Sequence, residues 1–110
     1  MTALLIVRAD IPDPADRPLF DTWYETEHLP SACKALRPER AWRAWGRTEP
    51  SIHYAFYEFP DVGAAQEALA SEAIKSLIKE FDRVWNAHKT RVTRTREIVE
   101  VIHSYSNSGQ

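Results

Sequence analysis

Apolar and polar positions along this 110-residue chain fall into a succession of strand-like and helix-like segments. Residues 3–9, Ala-Leu-Leu-Ile-Val-Arg-Ala, form a nearly unbroken apolar run with β-branched members, which predicts a strand buried on both faces and central in its sheet. Three prolines and three aspartates between Asp10 and Pro18 predict a loop, with Asp13 or Asp16 as helix cap and Pro18 in the first turn. A helix is expected over 17–28, ended by Leu29-Pro30 because a residue before proline avoids the α region, with a short further turn over 31–36. Residues 40–48 predict a second strand, in which Trp42 and Trp45 are three apart and cannot share a face without a bulge. After a turn at Glu49-Pro50-Ser51 comes a third strand, 52–59, making a hairpin. Ile52, Tyr54 and Phe56 alternate with His53, Ala55, Tyr57 and Phe59, so the two sets face opposite ways. Pro60-Asp61 opens a helix with Ala64, Ala65, Ala68 and Leu69 on its buried side, and Ser71-Glu72 restarts it. Ile74, Leu77, Ile78, Phe81, Val84, Trp85 and His88 then trace the clearest amphipathic helix of the chain. A final strand is expected over 91–105, with a frayed tail at 106–110.

The order β-α-β-β-α-β, with right-handed crossovers, predicts a ferredoxin-like α+β fold: one four-stranded antiparallel sheet with helices on one face. The length suits one domain, 1–110. The other sheet face, rich in aromatic and apolar residues, is then expected to meet a second copy of the chain or a flat ligand.

Composition narrows the function classes. A formal net charge of -2 supplies no overall field for nucleic acid or anionic membrane. No apolar run approaches the ~20 residues of a membrane span, and the start of the chain does not read as a signal peptide. The lone Cys33 forms no internal disulfide and agrees with a reducing cytoplasm, the expected location. Three glycines and no Gly-x-Gly-x-x-Gly argue against a nucleotide cofactor. Four each of Trp, Tyr and Phe are more than so small a core hides, which points to an interface or a ligand pocket.

Candidate chemistry concentrates in Phe20-Asp-Thr-Trp-Tyr-Glu-Thr-Glu-His-Leu-Pro30. Phe20, Tyr24 and His28 lie at i, i+4 and i+8, one helical stripe, flanked by Trp23 and Glu27. An imidazole at the polar end of an aromatic stripe can exchange a proton with a phenol or an activated carbon near neutral pH. The plainer reading makes His28 a protonated cap on the helix C-terminus. His53 reads first as a buried structural histidine. The four histidines show no paired metal-ligand spacing, so no metal or other cofactor is expected, although one histidine suffices as an axial haem ligand and leaves haem open.

The motif Trp23-Tyr24-x-x-Glu27-His28-Leu29-Pro30, set in this element order, resembles the dimeric α+β barrel superfamily and within it the EthD-like proteins. The resemblance implies two ferredoxin-like subunits packed sheet to sheet, each with a cleft between helices and sheet. It also implies relatives that include cofactor-independent monooxygenases, polyketide cyclases, muconolactone isomerases and haem-using proteins. Such relatives often carry a glycine before the second strand, where this chain has Ala35-Leu36-Arg37-Pro38. On this basis His28 and Tyr24 are the expected catalytic pair, and Phe20, Trp23, Trp42, Trp45, His53, Tyr54 and Tyr57 the expected lining for a hydrophobic, aromatic or polyketide-like molecule. The alternative is a dimeric protein that binds such a molecule, or acts in stress, without catalysis. An RNA-recognition module shares the element order, and Tyr54-Ala55-Phe56-x-x-Phe59 overlaps its RNP1 pattern. That pattern lacks its basic residue and glycine here, and the first strand has no stacking aromatic, so nucleic acid is the weakest reading.

Overall fold

The computed structural model describes residues 1–107. Strands β1 (Ala3–Asp10), β2 (Arg40–Trp45), β3 (Ile52–Phe59) and β4 (Thr93–Glu100) form one antiparallel sheet in the order β2-β3-β1-β4. Helices α1 (Asp16–Trp23) and α2 (Leu29–Leu36), joined by a π-helical turn over Tyr24–His28, link β1 to β2, and α3 (Val62–Ala70) and α4 (Glu72–Trp85) link β3 to β4. This is the ferredoxin-like arrangement, with the most apolar strand, β1, in an inner position where both of its edges are hydrogen-bonded.

Strand alternation decides what each face carries. Ala3, Leu5 and Ala9 of β1 and His53, Ala55, Tyr57 and Phe59 of β3 are buried beneath the helices. Directly paired residues share a face, and Leu5 pairs with Tyr57 and Ile98, so Ala41, Arg43 and Trp45 and also Arg94, Arg96 and Ile98 stand on that side. The opposite face presents Leu4, Ile6, Trp42, Tyr54, Phe56 and Val99. There Phe56 stacks on Trp42 at 5.4 Å and on Tyr54 at 6.2 Å between centroids. Trp42 and Trp45 thus part to opposite faces of a regular strand.

Three local expectations are corrected. Pro30 does not end the helix, which runs on to Leu36. In an α-helix Pro30 would withhold an N–H from the Thr26 carbonyl and press its ring against it. The π turn relaxes this conflict: the Leu29 N–H bonds the Tyr24 carbonyl five residues back. Neither Asp13 nor Asp16 caps α1. Asp13 Oδ1 accepts the Ala15 N–H at 2.9 Å, two residues on, and Asp16 lies inside the first turn, where Arg91 Nη2 donates to its Oδ1 at 2.6 Å. β4 stops at Glu100, because that residue pairs with Ala3 and β1 has nothing further to pair with. Val101 still donates its N–H to the Thr2 carbonyl at 2.8 Å, but Ile102 and Tyr105 are largely exposed. Of the expected tail, residues 108–110 lie outside the described residues.

The Asp61 cap stands as expected, its Oδ1 accepting the Ala64 N–H at 2.8 Å, and the helix restarts at Ser71, whose Oγ accepts the Ile74 N–H at 3.4 Å. At the end of α2 it is Arg37, not a glycine, that takes the left-handed conformation (φ 56°, ψ 51°), bonding its N–H to the Cys33 carbonyl at 3.0 Å.

Candidate functional site

The stripe along the first helical layer recurs every four residues: Phe20, Tyr24, His28, Ala32 and Leu36. In a plain α-helix such a stripe would drift by about 40° per step, about 160° over its length. The one residue inserted by the π turn takes back about 100° of that drift. Phe20, Tyr24 and Ala32 are consequently all buried, with His28 half-buried among them. The π turn therefore keeps His28 in line with Tyr24 while the helix continues past it.

Between this layer, α4 and the sheet lies a small open cleft of about 40 Å³. Leu5 and Val7 of β1 form part of the sheet wall, and Leu36 with Ile74, Leu77, Ile78 and Phe81 supply apolar helix walls. Five polar side chains interrupt that surface: Tyr24, His28, Tyr57, Arg94 and Arg96. A few convergent polar groups in an apolar cleft is the usual make-up of a small-molecule site.

Tyr24 and Tyr57 meet with their hydroxyl oxygens 3.0 Å apart. Burial pushes the Tyr24 pKa up to about 12 and holds Tyr57 well above its ordinary value, so both are neutral donors across physiological pH. One hydroxyl hydrogen serves the bond between them, and the other is left for a third group. His28 lies nearly parallel to Trp23 (centroids 4.8 Å, planes 22° apart) and edge-on to Tyr24 (4.8 Å) and Phe81 (5.6 Å). Burial lowers its pKa to about 4, and the nearby Arg94 charge acts the same way. At neutral pH His28 is an uncharged imidazole with a lone pair to offer. Since the helix continues to Leu36, the protonated C-terminal cap is set aside.

Behind the cleft a polar cluster fixes the aromatic layer. Asp21 Oδ1 accepts from Arg43 Nη1 at 2.7 Å and from the Trp45 indole N–H at 2.8 Å. These bonds, the one from Trp45 foremost, hold the Asp21 carboxyl below the usual range. Arg43 Nη1 also lies 3.3 Å from His53 Nε2. A guanidinium only donates, so Nε2 accepts and the ring proton is assigned to Nδ1. Burial first, then Arg43, lowers the His53 pKa to about 4. The His53 ring packs on Tyr24 at 4.6 Å and Phe20 at 5.1 Å, so this neutral, 1%-exposed histidine braces the cleft tyrosine from behind.

Among the residues expected at the site, His28, Tyr24 and Tyr57 line the cleft. Phe20, Trp23, Trp45 and His53 form the aromatic layer that supports them. Trp42 and Tyr54 do not belong with them: register puts both on the far face of the sheet, because each is an odd number of positions from Trp45 and His53, respectively. The α4 wall and Arg94 and Arg96 were missed. The available signal for the two arginines was the alternation Arg94, Arg96, Ile98 in β4, which places two cations on the same face as a half-buried isoleucine. Among the described residues no three His, Cys, Asp or Glu side chains gather as a metal-binding group, and no helix is long and apolar enough to cross a membrane.

Neither a family model nor a curated protein matches the sequence. Solved structures do match its fold. An EthD-family protein from Bacillus halodurans C-125 superposes with a TM-score of 0.69 at 18% identity, over 93% of this chain and 100% of that one. SnoaB, a cofactor-independent oxygenase from Streptomyces nogalater, matches with a TM-score of 0.61 at 13% identity, over 94% and 95% of the two chains. A structure from Deinococcus radiodurans described as an antibiotic biosynthesis monooxygenase gives a TM-score of 0.66 at 10% identity, over 99% and 100%. The chain has a ferredoxin-like α+β fold, shared with EthD-family and antibiotic-biosynthesis-monooxygenase structures.

Proposed function

We propose that this protein acts on a hydrophobic, aromatic or polyketide-like small molecule in the cleft beside His28, without a cofactor. The observation that carries the reading is the convergence of a neutral imidazole and a buried tyrosine pair on one apolar cleft. Oxygenation, cyclisation and isomerisation of such molecules can each begin by moving a proton from an activated carbon or a phenol. His28 accepts that proton, and the spare hydroxyl hydrogen of the Tyr24–Tyr57 pair bonds the oxyanion that develops. A base with a pKa of about 4 is weak in the empty cleft, but the substrate anion formed beside it favours the imidazolium and raises that value. For an oxygenation, dioxygen is the co-reactant. The likeness to SnoaB, described as a cofactor-independent oxygenase, supports this choice of chemistry.

The functional unit in this reading is a cytoplasmic homodimer of single-domain chains, joined through the open sheet face. The Trp42–Phe56–Tyr54 stack there supports it, being a large aromatic surface that the described chain leaves uncovered by helices. The low basicity of His28 favours one second reading, in which the cleft holds its ligand without turning it over. Oxygen uptake and product mass with 1,8-dihydroxyanthrone separate the two. His28→Ala should lower turnover by about 10²-fold or more, the usual share of a general base, with an unchanged circular dichroism spectrum. Turnover equal in both proteins removes His28 from the chemistry, and binding without turnover by the wild type supports the second reading.

A further inference from the structure

We infer that the cleft selects an organic anion, a carboxylate carried on an aromatic or alicyclic body, and that Arg94 and Arg96 recognise its charge. The inference rests on the cleft being the ligand site. It starts from an imbalance of charge. The whole chain carries a formal charge of -2, yet twelve residues line the cleft and the only ionic side chains among them are two arginines. His28, Tyr24 and Tyr57 are uncharged at neutral pH, so nothing in the lining offsets those two cations.

Arg94 is the better placed of the two. Its side chain is only 13% exposed, and its guanidinium lies 3.7 Å from the Phe81 ring centroid. Its one hydrogen bond among the described residues is long, 3.4 Å from Nη1 to Oδ1 of Asp82, whose own side chain is half-exposed. A guanidinium has five donor hydrogens in a planar fork that suits a carboxylate, so most of this fork remains for a ligand. By contrast, Arg91 meets Asp16 with two bonds, 2.6 and 3.2 Å, and Arg43 meets Asp21 at 2.7 Å. These are arginines that the fold itself uses. Arg96 follows two positions along the same strand face and is exposed at the cleft, where it adds to the field. The chemistry selects a ligand with an apolar body against Leu77, Ile78 and Phe81 and an acid group at the β4 wall.

The test is calorimetric titration with two compounds of the same ring system, 1-hydroxy-2-naphthoate and 1-naphthol. The wild type should bind the acid at least tenfold more tightly, and Arg94→Met should remove that preference while leaving 1-naphthol affinity unchanged. Arg40→Met, on the opposite sheet face, should alter neither. Should Arg94→Met fail to fold, the wild type alone decides: between 20 and 500 mM NaCl, affinity for the acid should fall several-fold and that for 1-naphthol should not. Equal affinity for the two compounds, or a preference that survives Arg94→Met or high salt, overturns the anion assignment and leaves the cleft in place. Failure of both compounds to bind at millimolar concentration overturns the cleft reading as well.

Discussion

Acidification from pH 7.5 to 5.0 should destabilise this protein through two histidines. His28 and His53 both have folded-state pKa values near 4, against 6.5 for the unperturbed group. Between those values the unfolded chain takes up protons that the folded chain refuses, so stability is fully present above pH 6.5 and is lost as pH falls toward 4. At pH 5.0 the unfolded form of each site binds about 30 times more favourably than the folded one, which is about 2 kcal/mol per histidine. His53 should deliver most of its share, being 1% exposed, whereas the half-buried His28 is better hydrated and should deliver less. The expected sum is about 3 kcal/mol, a large fraction of a typical domain stability of about 5–15 kcal/mol. Asp16 and Asp21 do not confuse the window. Their carboxyl pKa values are held below 3.8, so their contributions are present above that value and are lost at lower pH. The assay is urea unfolding followed by tryptophan fluorescence at pH 7.5, 6.0 and 5.0, with the histidine C2 protons followed by NMR. Stability unchanged over that range, or both histidines titrating near 6.5, would refute the burial argument and with it the neutral His28.

Other consequences follow from single contacts. Tyr24→Phe and Tyr57→Phe each strand one buried hydroxyl and should cost about 1–2 kcal/mol, while the double variant should cost less than the sum; additive losses in a denaturation cycle would mean that water in the cleft already serves both groups. Arg37→Gly relieves a left-handed non-glycine residue and should raise stability by about 0.5–1 kcal/mol in urea unfolding; a loss would show that the Arg37 side chain does more than end α2. On the proposed homodimer, Phe56→Arg places a charge in the open-face aromatic stack and should shift the sedimentation mass from two chains to one; a wild type that sediments as one chain would remove the dimer, and an unchanged mass of two chains would put the interface elsewhere.

Where periodicity acts on a whole element, these residues were readable in advance. The β3 alternation separated Tyr57 from Tyr54, and the spacing of Trp42 and Trp45 parted them between faces, as the register confirms. What could not be read was which face received the helices, and so both tyrosines and both tryptophans entered the candidate lining. The Phe20-Tyr24-His28 stripe was visible, but its continuation through Pro30 was not. Proline normally ends a helix, and the π turn that accommodates it has no signal in the local sequence beyond the period of four itself. Arg94 and Arg96 escaped notice for a different reason. A charged residue in a terminal strand reads as solvent-facing, and although alternation puts both on the side of Ile98, only pairing with β1 shows that this is also the side of Leu5.

The most direct test of the cleft as the working site is a proton–nitrogen NMR titration of labelled protein with 1-naphthol. Saturable shifts centred on Tyr24, His28, Tyr57, Leu77 and Phe81 are the predicted result. Shifts centred on Trp42, Tyr54 and Phe56 instead would place the ligand on the open face of the sheet and contradict the account.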